Sequence, residues 1–86
     1  MRLDFFLKVS RLIKRRTLAN EYCKKGWIEV NGHIGKPATL VNAGDLITLH
    51  LWSRIRTIKV LTIPEKILPP KQMPDLYEIL EDKKED

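Results

Sequence analysis

Residues 15–36 read RRTLANEYCKKGWIEVNGHIGK, and the hydrophobic period changes partway through them. Up to Lys25 the side chains of Leu18, Ala19, Tyr22 and Cys23 fall at helical spacing, Glu21 and Lys25 pair at i, i+4, and Gly26 stands where a helix stops. After Gly26 the period is two. WIEV reads as a strand, Asn31-Gly32 as a turn that supplies positive φ at low cost, and HIGK as a short return strand. A helix over about Arg15 to Lys25 that runs directly into an antiparallel hairpin predicts an α+β fold.

Toward the N terminus, Leu3, Phe6 and Leu7 lie at i, i+3, i+4, with Arg2, Asp4 and Lys8 off that face, which predicts a first helix. Toward the C terminus, LITLHL (46–51) and RIRTIKVLTI (54–63) alternate with period two. They follow the turn signal AGD and are joined near Trp52 and Ser53. The expected architecture is two N-terminal helices packed on a small antiparallel sheet.

Charge divides the chain. Residues 1–63 hold twelve Lys/Arg and four Asp/Glu, a balance of +8, whereas residues 64–86 hold four and seven, a balance of −3. Between them Pro64, Pro69, Pro70 and Pro74 exclude helix or central strand over 64–74 and predict an extended linker. In the acidic tail, 75–86, Asp75 and Glu78 fit a capping box, Leu76, Ile79 and Leu80 fall at helical spacing, and Lys83 and Lys84 suit a C-terminal end. The tail is therefore expected to form a short helix. A helix of about ten residues is marginal alone, so its apolar stripe should dock, and its own domain is the favoured surface.

A chain of 86 residues has room for one modest core, and a net charge of +5 favours an anionic partner, nucleic acid ahead of anionic membrane. Cys23 is the single cysteine, which excludes an intramolecular disulfide or a cysteine-built zinc site and suggests a small core residue. The start MRLDFFLK is too charged and its apolar run too short for a signal peptide, and no stretch approaches the roughly 20 apolar residues of a membrane span. A cytoplasmic location is expected. His33 and His50 have no ligand-spaced neighbours, and no nucleophile triad or Gly-rich phosphate loop is present. Neither a metal, a cofactor nor an enzymatic activity is expected.

The cations remain to be explained: Arg2, Lys8 and Arg11 around the first helix, Lys14, Arg15 and Arg16 at the entry to the second, Lys24 and Lys25 at its exit, and Lys36 past the hairpin. Scattered charges are usually a solvated face. Here, however, Lys14-Arg15-Arg16 sits at a helix N terminus, where the backbone dipole disfavours cations and free N–H groups favour an anion. An external phosphate resolves that conflict. Asp4 would repel phosphate unless an arginine neutralises it; Arg16 or Arg2 is the natural candidate, and an Asp4–Arg16 bridge that orients the guanidinium for RNA is expected. Phe5, off the apolar face, is either a platform for an unpaired base or a surface that the acidic tail covers.

RLDFFL (2–7), SR (10–11), KRRTLA (14–19), Gly26, IEVNG (28–32), KP (36–37) and GDLI (44–47) together resemble the S-four RNA-binding domain, or αL motif, over about residues 1–51. KVSRLIKRRTLA and LYEIL resemble in particular its RqcP (YabO-type) branch, related to heat-shock protein fifteen. The resemblance implies a cytoplasmic, ribosome-associated monomer that binds large subunits obstructed by peptidyl-tRNA. It would contact rRNA and tRNA and assist an RqcH-type protein in adding C-terminal alanine tails. Carried over by position, the RNA contacts are Arg2, Lys8, Arg11, Arg15, Arg16, Asn31 and Gly32, with Lys14, Lys24, Lys25 and Lys36 as further cations and Asp4 as structural support. Phe5, Trp27 and His33 depart from the family in standing where basic residues are common. Three other readings stay open: a recycling factor like heat-shock protein fifteen, an adaptor that grips a partner with the C-terminal helix, and a DNA binder that uses the second helix for recognition.

Overall fold

The computed structural model describes residues 1–84. Two helices, α1 (Leu3–Val9) and α2 (Arg16–Lys24), precede five strands: β1 (Ile28–Val30), β2 (His33–Ile34), β3 (Leu46–Leu51), β4 (Arg54–Val60) and β5 (Tyr77–Lys84). The strands form one antiparallel sheet in the order β2-β1-β3-β4-β5. The expected α+β class and the helix-then-hairpin order are both present.

One face of the sheet carries the core. Leu3, Phe6 and Leu7 of α1 and Ala19 and Cys23 of α2 are buried with Ile28, Val30, Ile47, Leu49, Ile58 and Val60 of the strands. Full burial of side chains such as Phe6 or Leu7 contributes about 1.5–3 kcal/mol each. The opposite face holds polar pairs, Thr48 with Thr57 at 3.4 Å and His50 with Glu29, as an antiparallel sheet solvated on one side permits.

Local chemistry sets the element ends. The N–H groups of Leu3 and Asp4, which a helix start leaves without partners, donate to the carbonyls of Thr39 (2.7 Å) and Pro37 (3.2 Å). α2 ends in a Schellman arrangement: Gly26, at φ 78°, donates to the Cys23 carbonyl and Trp27 to that of Tyr22, each at 3.0 Å. Asn31 (φ 52°) and Gly32 (φ 83°) make the type I′ turn of the β1–β2 hairpin. Gly35 is required for a different reason. A Cβ there would lie 2.5 Å from Leu3 Cδ2 and 3.1 Å from Val30 Cγ2, inside the packed core.

The expected C-terminal helix is the main correction. Residues 77–84 form β5, paired antiparallel with β4, and the last two residues of the expected helix, Glu85 and Asp86, lie outside the described residues. Without β5, strand β4 would be an open edge bearing Arg54, Arg56 and Lys59. β5 supplies the missing ladder and sets Glu78 opposite Lys59 and Asp82 opposite Arg56. Long-range pairing and charge complementarity thereby outweigh the propensity of a marginal helix. The segment does dock on its own chain, as a strand: Leu76 is buried, and its carbonyl accepts from the Leu61 N–H at 2.8 Å. The adaptor reading loses the helix on which it rested. Residues 64–74 form no α-helix or strand; they contain a bend at 65–66 and one 3-10 turn, Pro70–Gln72.

Candidate nucleic-acid interface

Asp4 is the centre of the site. It lies in the first turn of α1 and is 2% exposed. Arg2 approaches it at 3.3 Å and Arg16 at 3.6 Å, while the Asn20 amide donates to it at 3.3 Å. Arg16 and Asn20 are one turn apart on α2, so a single carboxylate ties α1 to one stripe of α2. Burial by itself raises the pKa of Asp4. The Asn20 hydrogen bond, Arg16, Arg2 and the Phe5 N–H together outweigh burial and hold the carboxyl below its ordinary value of 3.8. The expected Asp4–Arg16 bridge is present, and Arg2 and Asn20 complete it.

Arg16 is held on a second side by an aromatic ring. Its guanidinium lies over the Phe5 ring at 4.9 Å from the centroid, a cation–π contact. This contact adds a third role for Phe5 to the two expected from the sequence. The strand β5 does not cover it; Phe5 shares a groove of about 340 Å³ with Met1, Arg2, Arg16 and the linker residues Pro64, Glu65 and Ile67. About half of the Arg16 side chain remains exposed, and so does half of Arg2. Both guanidiniums are therefore fixed by internal partners yet open to an external anion.

The α2 N terminus adjoins this pair. Arg15 is its N-cap and makes no side-chain capping bond, and the first turn holds no acidic residue. Lys14, Arg15 and Arg16 thus stand, exposed, at a terminus whose N–H groups and dipole attract negative charge. The preceding loop adds Arg11, which takes φ 67° just past the end of α1, its N–H donating to the Lys8 carbonyl at 3.0 Å. That left-handed conformation costs a non-glycine residue roughly 1–2 kcal/mol. Lys8, Arg11 and Lys14 form one wall of a groove of about 1210 Å³, with Ile67, Met73 and Tyr77 on the facing side.

Other expected contacts fall elsewhere. Lys24 and Lys25 occupy the far end of α2, about 12 Å from Arg16 at 1.5 Å per residue. Lys25 Nζ sits over the Trp27 ring at 4.7 Å, and Trp27 packs against Tyr22 with centroids 5.1 Å apart. The Asn31 side chain is engaged internally: its amide oxygen accepts from the Leu46 N–H (2.9 Å) and its amide nitrogen donates to Asp45 (3.2 Å). Gly32 and His33 are exposed in the hairpin, and Lys36 opens the loop that receives the start of α1. Cys23 is buried, and burial, aided by the Asp4 charge, pushes its thiol up to about 11, as suits a core residue.

Asn20 and Gly35 escaped the reading of the sequence. The position of Asn20 four residues after Arg16, on the same face of α2, was the available signal. Nothing local in HIGK marks Gly35, because its constraint comes from Leu3. Among the described residues no three His, Cys, Asp or Glu side chains gather as metal ligands, and no helix is long and apolar enough to cross a membrane.

Two helices clamped by a buried carboxylate, laid on an antiparallel sheet and presenting arginines at a helix entry, define a small anion-facing α+β module. The chain belongs to the S4 domain family, whose match spans residues 1–47. It is 44% identical over 79 residues to the RQC P-site tRNA stabilizing factor of Halalkalibacterium halodurans, covering 92% of this chain and 89% of the relative. The protein of the same name from Listeria innocua is 44% identical over 86 residues, all of this chain and 92% of that one. Among solved structures, the trimeric Heat Shock Protein 15 of Vibrio cholerae superposes with a TM-score of 0.81 at 30% identity, covering 92% of this chain and 80% of that one.

Proposed function

We propose that this chain is a non-catalytic RNA-binding factor that associates with large ribosomal subunits obstructed by peptidyl-tRNA. It contacts rRNA and tRNA there and assists an RqcH-type protein in C-terminal alanine tailing. The observation that carries the reading is the pair Arg2 and Arg16, held by the buried Asp4 and half open to solvent beside the uncapped start of α2. Guanidiniums fixed in this way lose little conformational freedom on meeting phosphate. The name shared by the two relatives, with its reference to P-site tRNA, supports tRNA as one ligand.

Arg2, Lys8, Arg11, Lys14, Arg15 and Arg16 act together as the phosphate-binding face. Lys24 and Lys25, at the far end of α2, and Lys36 add positive charge away from that face, and Gly32 and the Asn31 backbone meet RNA at the hairpin. Binding reads the shape of folded RNA more than its sequence, because the A-form major groove is too narrow for side chains. With about five phosphates neutralised, log K falls against log salt with a slope of roughly −3.5 to −4.5.

The test is sedimentation of tagged wild type and Arg16→Ala through a sucrose gradient of lysate, with tRNA probed in each fraction. Wild type is expected with large subunits that carry tRNA, and Arg16→Ala at the top. Both at the top, or a salt slope near zero, would refute the proposal. A second reading, recycling of stranded subunits without tailing, is favoured by the likeness to Heat Shock Protein 15. Alanine incorporation by an RqcH-type protein with and without this chain separates the two readings. The chain acts as a monomer in either case, which light scattering checks against the trimer described for the Vibrio relative.

A further inference from the structure

The two tryptophans lie toward one end of the sheet in opposite circumstances. Trp27 is partly covered by Tyr22 and Lys25, and its carbonyl accepts from the His50 N–H at 2.8 Å. Two residues beyond His50, Trp52 occupies the two-residue turn between β3 and β4 and is 96% exposed. The fold gives no reason for an indole there. The turn has negative φ at both positions, which polar residues adopt readily, and a six-pair ladder fixes the hairpin without help from its tip. An aromatic surface of this size left in water on a rigid support is suited to a planar ligand.

The surroundings indicate the kind of ligand. Arg54 follows the turn, Lys84 pairs with it across the β4–β5 ladder, and Lys24 and Lys25 close α2 beside Trp27. Among the described residues, the acidic side chains of this end are engaged: Asp82 bridges Arg54 and Arg56 at 3.3 Å each, Glu81 meets Lys83 at 2.8 Å, and Glu29 pairs with His50. An exposed aromatic flanked by lysines, here Lys84, Lys24 and Lys25, is an arrangement that stacks an unpaired base while cations hold its flanking phosphates. We infer that Trp52 is a stacking platform for an unpaired nucleobase of RNA, a second point of contact separate from the Arg2–Arg16 face. This inference rests on the RNA-binding reading above and adds to it the need for a single-stranded nucleotide.

The experiment uses Trp27→Phe, in which Trp52 is the only tryptophan, together with Trp52→Ala, Trp52→Phe and Arg16→Ala in the full chain. Each is titrated with an RNA hairpin that has an unpaired loop and with a blunt duplex of the same stem. Loop RNA is expected to quench Trp52 emission. Trp52→Ala should weaken loop binding about 5- to 100-fold while leaving duplex binding unchanged, on the scale of one base–aromatic stack. Trp52→Phe should restore most of the loss, and Arg16→Ala should weaken both RNAs. If Trp52→Ala binds both RNAs like wild type while Arg16→Ala does not, the stacking inference falls and the phosphate face stands. If wild type binds neither RNA, both fall. Quenching by an RqcH-type protein but not by RNA would reassign Trp52 to a protein interface and overturn the inference.

Discussion

Asp4 and Asp82 each bridge two arginines, one between the helices and the other at the edge of the sheet. Asp4 meets Arg2 and Arg16 at 3.3 and 3.6 Å with its side chain 3% exposed. Asp82 meets Arg54 and Arg56 at 3.3 Å each with its side chain 31% exposed. The distances are alike, and the environments decide what each bridge does. In the buried site the carboxylate has exchanged water for protein donors, so losing it strands Asn20 and leaves two guanidiniums without their shared partner. At the edge, water replaces whatever the carboxylate gave. The first bridge presents arginines outward; the second neutralises β4 and fastens β5 to it.

The largest effect is expected from Asp4→Ala. The loss of charge-assisted hydrogen bonds in a buried position should reduce stability by roughly 2–3 kcal/mol in urea denaturation. RNA affinity should fall as well, because Arg16 loses its brace. Unchanged stability would place Asp4 on the same footing as Asp82 and break the comparison. Acid offers a second way to probe the same bridge. Because the folded pKa of Asp4 lies below 3.8, its ionised form stabilises the fold above that value, and the contribution is lost as pH falls through the lower folded value. Denaturation of wild type and Asp4→Asn between pH 7 and pH 2.5 should therefore show a gap that closes only in the last part of that range.

Asp82→Ala should cost about 1 kcal/mol or less, and 1 M salt should reduce even that. Its signature is local: faster amide exchange along β5, with α1 and α2 unchanged. If β5 exchanges as slowly in the variant as in wild type, the ladder and the burial of Leu76 hold the strand without the charge pairs.

The same contrast explains what the sequence disclosed. Asp4 and Arg16 are near in sequence and belong to helices whose apolar faces, Leu3-Phe6-Leu7 and Ala19-Cys23, were plain from spacing. Their bridge followed from electrostatics alone. The fate of 77–84 depended on β4, an edge whose residues lie 17 to 30 positions earlier than their partners. The segment also contains an irregularity: Ile79 pairs with Ile58 and Glu81 with Thr57, so Leu80 is an extra residue in the ladder. That insertion interrupts the period of two and leaves Leu76, Ile79 and Leu80 at spacings that match a helix. The Arg16–Phe5 contact was hidden for a related reason, since it requires the angle between the helices and not their faces. Gly35 could be understood only with Leu3 in place.

Arg11 provides the smallest and sharpest test of the division between a face for binding and a scaffold for stability. At φ 67° it occupies a position that glycine fills without strain, yet it carries a cation into the groove beside Lys8 and Lys14. Arg11→Gly should relieve the strain and gain up to about 1 kcal/mol, partly offset by the greater freedom of glycine in the unfolded chain. On the proposed phosphate face, the same change should make the salt slope of RNA binding shallower by about one. A variant that is more stable and binds less tightly would show that the loop is strained for the sake of its ligand. Should Arg11→Gly lose stability instead, the arginine side chain contributes packing that its exposure conceals. Should binding be unchanged, Arg11 lies outside the interface and the phosphate face narrows to Arg2 and the residues at the start of α2.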